Sequence, residues 1–384
     1  HRYQIWLQAA SAGEAALAKE IINNFQTPDT LHILATTWTK QGLDILSTCK
    51  PQKNVILHPA YCPFDLPSLM SRALKLFKPQ VVVLLETELW PGLLYSCKKS
   101  ATPVLLLNAR LTRKSLAGYI SFSGFWQSLA PEQIYAVSEQ EVKRYKLVFN
   151  QNKISSMPNI KFDRCQLEDA PIAYVRNELS KFIKAQSQFV VLGSIRKEEE
   201  KLVLKTICEL LDNRPMTIVG LFPRHMHRLH SWESFLAEKN IHWVHRSTLG
   251  EDYVQPGTVI LWDRFGELEQ AYALARAAYV GGSLVPLGGQ NFLEPLAQGV
   301  MPCIGPFWDN FAWIGEEIVA KGLVHQVSSQ QELTQCLINV LKRNPTREKV
   351  YSRFQEYIAE HQGGTAFCCT KIQSVLDAHQ LADS

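Results

Sequence analysis

The sequence predicts an α/β protein built from two doubly wound domains. Short runs rich in Val, Ile and Leu recur along the chain, and each is followed by a polar or glycine-bearing turn and an amphipathic stretch. The runs VVVLL (81–85) and VLLLN (104–108) are apolar on both faces, which is typical of strands that helices cover on either side. At 384 residues the chain exceeds one ordinary core, so two domains are expected.

The predicted strands fall into two sets. The first set lies near residues 4–9, 31–36, 54–57, 81–85, 103–107 and 133–137, and the second near 188–192, 216–221, 241–244, 258–262, 278–280 and 301–304. The least periodic segment, 150–174, separates them. We therefore predict an N-terminal domain over 1–157 and a C-terminal domain over 158–384, whose last helix is a candidate to pack back on the first domain. The result is two Rossmann-like halves that face each other across a cleft.

Composition and charge restrict the classes of function. A hydrophobic fraction of 46% and a charged fraction of 20% are those of a globular protein. The net charge of +4 suits anionic small molecules or an anionic lipid surface, but it is too small to argue for nucleic acid. The nine cysteines show no zinc spacing and indicate free thiols in a reducing compartment. The sequence contains no run of about 18 apolar residues, so it predicts no membrane-spanning helix.

The stretch LQAASAGEAALAKEI, residues 7–21, joins a strand to a helix. Ser11 followed three residues later by Glu14 is the signature of a capping box, in which the glutamate closes the helix N-terminus. The C-terminal tip of a strand is also where α/β enzymes place reactive groups. Glu14 is therefore a candidate both for a helix cap and for a catalytic base.

The stretch VVVLLETELWPG, residues 81–92, ends a buried strand in two acids. If the strand continues, Glu86 and Glu88 point to the same side. Two carboxylates beside an apolar strand and Trp90 are costly to bury unless they are used or paired. The alternative is a surface turn closed by Pro91.

The segment 108–131 interleaves basic and aromatic side chains. They are Arg110, Arg113, Lys114, Tyr119, Phe122, Phe125 and Trp126. A basic, aromatic helix can lie on an anionic membrane surface, whereas such aromatic residues more often face a core. The sequence leaves both alternatives open.

A glycine-rich block over 279–311 follows a strand in the second half. The glycines let backbone N–H groups of Gly282 and Ser283 approach an anion, and the following helix offers its positive end. Asn291 and Glu294 are three residues apart on one helix face, and a carboxylate suits ribose hydroxyls. The alternative is that the glycines make tight turns and Asn291 caps a helix.

Three further strand tips in the second half are suited to an anion. Ser194 opens a strand–helix join, Arg224 can grip a phosphate in a bidentate way, and Gly266–Glu267 leads into a helix. The histidines that follow Arg224 fit no common zinc spacing. The run KEEE, 197–200, is expected to begin a solvated helix.

The chain resembles the Kdo transferases, which move 3-deoxy-D-manno-oct-2-ulosonic acid (Kdo) from CMP-Kdo onto a lipid A precursor in lipopolysaccharide assembly. The resemblance extends from Trp6 to about Phe311. The motifs that carry it are AASAGE, LLETELWP, NARLTRKS, NIKFD, PRH, FGEL and GGSLVPLGGQNFLEPLAQGVMPCIGP.

This resemblance implies a GT-B fold, with the acceptor bound by the N-terminal domain and CMP-Kdo mainly by the C-terminal one. It implies inverting transfer of Kdo to the 6′-hydroxyl of a tetraacylated lipid A precursor, lipid IVA. It also implies work at the cytoplasmic face of the bacterial inner membrane, with an N-terminal anchor segment before His1. No nucleic-acid partner is expected. The sequence lacks the Asp-x-Asp metal–nucleotide signature, which favours chemistry without a metal or other cofactor.

The resemblance also assigns roles to residues. Glu14 matches the general base, and we expect it to turn into the cleft while Ser11 caps the helix without it. Glu86 and Lys161 match positions that stabilise the transition state. The predicted donor-binding residues are Ser194, Pro223, Arg224, Phe265, Gly266, Glu267, Gly282, Ser283, Asn291, Phe292, Leu293 and Glu294.

Departures from the family pattern concern the donor side. Ser194-Ile195-Arg196 stands where the family has Ser-Thr-His, Gly289-Gln290-Asn291-Phe292 stands where it has Gly-Gly-His-Asn-Pro, and Pro158-Asn159 replaces Thr-Gly. These departures bear on donor detail and on the number of sugars transferred more than on the reaction class. Separately, two other functions stay open. One is a non-catalytic GT-B-like protein that binds a CMP-sugar or a lipid, and the other is a different GT-B sugar-nucleotide enzyme.

Overall fold

The computed structural model describes residues 3–111, 113–150, 153–165, 167–168, 170–250, 252–343 and 346–383. The side chains of Arg113 and Lys114, two of the predicted basic residues, lie outside that description, as do those of 380–383. The chain divides into two compact units. The first contains His1–Cys165 with His361–Ser384, and the second contains Gln166–Glu360.

The first unit is built on a seven-stranded parallel sheet with the order β3-β2-β1-β4-β5-β6-β7. Its strands are β1 Ile5–Gln8, β2 Leu31–Thr37, β3 Val55–Tyr61, β4 Val81–Leu85, β5 Val104–Ala109, β6 Gln133–Ala136 and β7 Ile154–Ser156. Its helices are α1 Ala12–Asn24, α2 Lys40–Ser47, α3 Pro67–Phe77, α4 Pro91–Lys99, α5 Arg113–Ser121, α6 Ser123–Ser128, α7 Glu139–Phe149 and α8 Ile160–Asp163.

The apolar strands of this sheet bury both of their faces. Along β4, Val81 and Val83 belong to one hydrophobic cluster, whereas Val82 and Leu84 belong to another. Successive side chains of a strand point to opposite faces, so the two clusters are the two helix-covered layers of a doubly wound sheet.

The second unit repeats this architecture with the strand order β10-β11-β9-β8-β12-β13-β14, also parallel. Its strands are β8 Gln188–Ile195, β9 Thr217–Pro223, β10 Trp243–His245, β11 Val259–Leu261, β12 Ala277–Val280, β13 Pro302–Ile304 and β14 His325–Gln326. Its helices are α9 Glu200–Asn213, α10 Leu229–Glu238, α11 Leu268–Leu274, α12 Leu293–Ala297, α13 Glu317–Ala320, α14 Gln330–Arg343 and α15 Arg347–His361. Short 3₁₀ helices lie at Tyr174–Arg176, Glu178–Lys181, Lys197–Glu199, Met226–Arg228, Arg246–Thr248 and Asp309–Ile314.

The predicted α/β class and the predicted strands are confirmed. The sequence missed β7 and β14, which lie at sheet edges and span only ISS and HQ. Such short, polar strands carry no apolar run from which to detect them.

The last helix, α16 Gly364–Asp383, lies in the first unit. Its Ile372 and Leu376 join the cluster that covers one face of the first sheet. The carboxylate of Asp163 accepts hydrogen bonds from the N–H groups of Gly363 at 2.7 Å and Thr365 at 2.6 Å. Residues 158–165, which the sequence division placed in the C-terminal domain, are thereby tied to the first unit.

Within the described ranges, no helix has both the length and the apolar character that crossing a membrane would require. The nine cysteines are free thiols.

Candidate active site

Glu14 closes the N-terminus of α1 in a complete capping box. Its Oε2 accepts a hydrogen bond from the Ser11 backbone N–H at 3.0 Å, and its own N–H donates to Ser11 Oγ at 3.3 Å. The expectation that Ser11 would cap the helix without Glu14 is therefore wrong. A carboxylate offers about four lone-pair sites, so one such bond leaves much of its accepting capacity for other work.

The Glu14 carboxyl also belongs to a cluster of acids at the ends of β1 and β4. It makes a side-chain hydrogen bond with Glu88 and lies near the charge of Glu86. Burial raises the pKa of Glu14, the nearby charge of Glu86 adds to that effect, and the backbone N–H of Ser11 opposes it. A buried carboxyl with a raised pKa is suited to proton transfer.

Within this cluster, Glu88 is the carboxyl with the strongest tendency to keep its proton near neutral pH. Burial, followed by the charge of Glu14, raises the pKa of Glu88 to about 7. The indole N–H of Trp90 donates to Glu88 Oε2, and the ring of Trp38 packs against that indole at 4.1 Å between centroids. Two carboxyls can share a hydrogen bond only if one of them is protonated, and the raised pKa of Glu88 favours Glu88 as the donor to Glu14.

Glu86 follows the last residue of β4 and pairs with Lys161. The Lys161 Nζ lies 2.6 Å from Glu86 Oε1, and the two side chains are 22% and 21% exposed. Glu86 Oε1 meets no hydrogen-bond geometry, so the contact is an ion pair. The backbone of Glu86 is left-handed, with φ 54°, and the buried Tyr145 hydroxyl donates to its carbonyl at 3.2 Å. Non-glycine residues adopt this conformation only rarely, so the surrounding contacts hold Glu86 in it.

The first unit thus brings together the three predicted catalytic residues, Glu14, Glu86 and Lys161, with Glu88. The sequence singled out Glu88 in its motif but gave it no role. It missed Asn108, which contacts the backbone of α8 through Ile160 N–H at 3.0 Å. The only sequence signal for Asn108 is a polar residue at the end of the apolar run VLLLN.

In the second unit, the predicted anion-binding amide of Gly282 already has a partner. Gly282 N–H donates to Glu199 Oε1 at 2.6 Å, which also accepts from Arg196 N–H at 3.0 Å. The Tyr279 hydroxyl donates to Glu199 Oε2 at 2.7 Å, and Glu199 is fully buried. The prediction that Gly282 offers a free amide is corrected by these bonds.

The run 197–200 is only partly solvated, because Lys197 and Glu198 are exposed whereas Glu199 and Glu200 are buried. Glu199 is buried in the bonds just described, and burial raises its pKa. Glu200 is 3% exposed and pairs with the Arg228 guanidinium through bonds of 2.9 and 2.6 Å. The carboxylates of Glu199 and Glu200 face inward because each accepts hydrogen bonds from buried or partly buried donors.

Ser283 supports the same glycine-rich turn. Its hydroxyl donates to the Val280 carbonyl and accepts from Gly305 N–H, both at 2.8 Å, and it is 2% exposed. The side chain therefore holds β12 to β13 and is not free for a ligand. Ser194 is half-buried near the end of β8, with a left-handed backbone at φ 56°.

Asn291 contacts Glu294, and Arg224 lies near enough for its charge to act on the Glu294 carboxyl. The Asn291 amide donates to Glu294 Oε1 at 2.9 Å, and Asn291 Oδ1 also accepts from Leu293 N–H at 3.2 Å. Burial raises the pKa of Glu294, while the charge of Arg224 opposes that shift. Arg224 is exposed and follows the buried Pro223.

The remaining predicted donor residues have mixed environments. Phe265 is 81% exposed and precedes Gly266, whose φ is 83°. Glu267 is engaged by the Arg246 guanidinium at 2.9 and 3.0 Å. Phe292 is buried at 1% exposure, so its side chain belongs to the core. Among the residues whose placement is described, no group of His, Cys, Asp and Glu is arranged to hold a metal ion.

The family model and most of the similar proteins point to the same family. Residues 1–164 match the family described as 3-deoxy-D-manno-octulosonic-acid transferase (kdotransferase). The chain is 28% identical over 366 residues to the 3-deoxy-D-manno-octulosonic acid transferase of Haemophilus influenzae, covering 94% of this chain and 84% of that protein. It is 27% identical over 359 residues to a bifunctional glycosyltransferase/methyltransferase of Fusobacterium nucleatum, covering 92% of this chain but only 55% of that protein's length.

The fold has solved counterparts. Anabaena Alr3699/HepE, solved in complex with UDP, matches with a TM-score of 0.60 at 12% identity, covering 98% of this chain and 100% of that one. Two parallel α/β units of this kind define a GT-B glycosyltransferase fold. Residues 1–164 thus match the Kdo transferase family model, and most of the chain is similar to curated Kdo transferases, as its motifs indicated.

Proposed function

We propose that this protein transfers Kdo from CMP-Kdo to the 6′-hydroxyl of a tetraacylated lipid A precursor, with inversion at the anomeric carbon. The observation that carries the proposal is the cluster of Glu14, Glu88, Glu86 and Lys161 in the family-matched unit. A single displacement needs one base and charge stabilisation, and this cluster contains groups suited to both tasks.

In the proposed reaction, Glu14 takes the proton of the acceptor hydroxyl as that oxygen attacks the anomeric carbon. The bond from this carbon to the CMP phosphate breaks, and CMP leaves with the electron pair. The Glu88 carboxyl, which shares a hydrogen bond with Glu14, keeps Glu14 in its ionised form. The cap on Ser11 fixes the carboxylate, since one oxygen remains bonded to a backbone N–H.

Lys161 and Glu86 are proposed to stabilise the transition state. The ammonium is held 2.6 Å from a carboxylate oxygen, so its position is fixed before the substrate arrives. Preorganised charge of this kind is often the largest single contribution to catalysis. In the second unit, Arg224 and Glu294 are proposed to hold the phosphate and the ribose of the nucleotide, because a guanidinium grips phosphate and a carboxylate accepts from ribose hydroxyls.

We also propose that the reaction proceeds without a metal ion. The sequence lacks the Asp-x-Asp signature, and Lys161 and Arg224 offer positive charge from side chains. A membrane-surface location fits the exposed aromatic residues Phe122 at 68% and Phe125 at 50%.

The decisive experiment distinguishes a role of Glu14 as a catalytic base from a role as a helix cap. Glu14→Gln keeps an oxygen that can accept from Ser11 N–H, since Gln also serves in capping boxes, but it cannot take a proton. We expect this variant to keep the wild-type melting temperature and to lose about 10²–10⁴-fold in kcat. The assay follows label from CMP-Kdo to lipid IVA, with mass spectrometry of the product.

Glu20→Gln on the same helix is the matched control and should transfer normally. Wild-type kcat in Glu14→Gln would leave Glu14 as a cap alone. CMP binding by calorimetry without any transfer by the wild-type protein would favour a binding protein instead. Loss of activity on treatment with a chelator would refute the metal-independent reaction.

A further inference from the structure

Asn108 lies near the end of β5 and contacts the helix that carries Lys161. Its Oδ1 accepts a hydrogen bond from the Ile160 N–H at 3.0 Å, and both residues are buried. Ile160 is the first residue of α8, where an N–H has no partner inside the helix. Asn108 therefore supplies a bond that α8 cannot make for itself.

Helix α8 depends on such contacts because it has only four residues. Asn159 caps it by accepting from Lys161 N–H at 3.0 Å. At its other end, the Asp163 carboxylate binds the N–H groups of Gly363 and Thr365. Lys161 lies between these two sets of contacts, so they fix the position of its backbone.

The backbone around Asn108 is also joined to the other half of the ion pair. Glu86 N–H donates to the Leu107 carbonyl at 3.1 Å, and Arg110 N–H donates to the Glu86 carbonyl at 3.3 Å. Asn108 lies between these two contacts with a left-handed backbone, φ 53°. Asn is among the few residues that adopt this conformation readily.

We infer that Asn108 is a positioning residue that sets the placement of Lys161 relative to Glu86 by joining β5 to α8. The inference rests on the proposed function in one respect, namely that Lys161 acts in the transfer. Asn108 is 1% exposed, and its Nδ2 has no hydrogen-bond partner among the described residues. The contribution argued for this buried residue is the bond that its amide oxygen accepts from Ile160 N–H.

Two substitutions separate the side chain from the backbone conformation. Asn108→Gly allows the left-handed backbone but removes the oxygen, whereas Asn108→Ala removes the oxygen and strains the backbone. Asn150→Gly is the matched control, because Asn150 is also left-handed, φ 44°, but ends α7 and is exposed.

Two readouts are taken on each full-length variant. The first is kcat for Kdo transfer, expected to fall about tenfold in Asn108→Gly and Asn108→Ala, with little change in KM, as for one lost hydrogen bond to the site. The second is hydrogen–deuterium exchange of the Ile160 amide, expected to accelerate in the same two variants. Asn150→Gly should change neither readout.

The outcomes distinguish the inference from the proposed function. Wild-type kcat in Asn108→Gly overturns the inference, and so does a loss of kcat without faster exchange at Ile160. Lys161→Met with wild-type kcat refutes the proposed role of Lys161 instead, while exchange at Ile160 still reports whether Asn108 holds α8. If Asn108 acts through Lys161, adding Asn108→Gly to Lys161→Met lowers kcat less than about twofold further.

Discussion

The Nζ of Lys161 lies 2.6 Å from Oε1 of Glu86, which links α8 to the end of β4 within the first unit. Both side chains are about four-fifths buried, at 22% and 21% exposure. Removing one partner of such an ion pair leaves the other charge buried without compensation. Removing both charges costs much less stability.

We therefore expect Lys161→Met to lower kcat about 10²–10³-fold, as the loss of a preorganised electrostatic group does. We also expect it to lower the melting temperature, and Glu86→Gln combined with Lys161→Met to recover most of that stability without activity. Lys153→Met is the control, because Lys153 and Glu132 form a pair with side chains 59% and 49% exposed. Equal melting temperatures for the single and double variants would contradict the coupling.

Glu88 should make stability depend on pH. Its pKa is raised from the ordinary 4.5 to about 7 by burial and by the charge of Glu14. Between these values the folded state binds the proton that the unfolded state has lost, so the free energy of unfolding falls as pH rises. Glu88→Gln removes this dependence. Calorimetry from pH 5 to 8 should show the variant gaining stability relative to wild type as pH increases.

Glu132→Gln, at an exposed position, is the matched comparison for that series and should follow the wild-type curve. Parallel melting curves for wild type and Glu88→Gln across the whole range would show that Glu88 does not titrate there.

Much of the fold could be predicted because its strands are long, apolar and buried on both faces. The runs VVVLL and VLLLN form β4 and most of β5, as such patterns require. The edge strands β7 and β14 escaped because three and two polar or mixed residues carry no periodicity. Pairing with a neighbouring strand, and not local sequence, makes them strands.

The site was predictable in residue identity but not in partnership. Glu14 and Ser11 were identified, yet sequence spacing could not show that one carboxyl would both cap α1 and bond to Glu88. The sequence could not indicate that Glu199 is buried and bonded. Its donors Gly282 and Tyr279 follow it by 83 and 80 residues along the chain. Long-range hydrogen bonds of this kind arise only when the sheet is assembled.

Glu199 should matter for the stability of the second unit. It is fully buried and accepts bonds from Arg196, Gly282 and Tyr279. Glu199→Ala leaves two buried donors and one partly buried donor without an acceptor and should cost about 3 kcal/mol or more, whereas Glu199→Gln keeps one accepting oxygen and should cost less. Urea unfolding measures the order. The control Glu198→Ala, at a side chain 50% exposed, should stay within about 0.5 kcal/mol of wild type.

Arg224 should determine affinity for the nucleotide. It is exposed near Glu294 and, in the proposed site, grips the phosphate of CMP. Arg224→Ala should weaken CMP binding about 10–100-fold in calorimetry, the range of a charge-assisted hydrogen bond. Arg214→Ala, which removes the contact of its guanidinium to Gln188 at 3.2 Å, serves as the control. Unchanged CMP affinity in Arg224→Ala would exclude this residue from the donor site.

The exposed aromatic residues of α5 and α6 lead to a prediction about lipid surfaces. Phe122 is 68% exposed and Phe125 50%, whereas Tyr119 and Trp126 pack partly against the core of the first unit. The segment thus divides its aromatic residues between core and solvent, and contact of the exposed rings with a membrane stays a prediction. Each exposed ring that enters a bilayer interface would contribute apolar burial of roughly 2 kcal/mol.

Phe122→Ser with Phe125→Ser should therefore weaken sedimentation with vesicles of anionic lipid at least tenfold, while kcat with a detergent-dispersed acceptor stays within about twofold of wild type. Leu147→Ser on α7 is the matched control, since Leu147 is 62% exposed but lies outside the aromatic segment. Equal vesicle binding by the double variant and the control would assign the exposed rings no part in membrane contact. Loss of vesicle binding in the control alone would move that contact to α7.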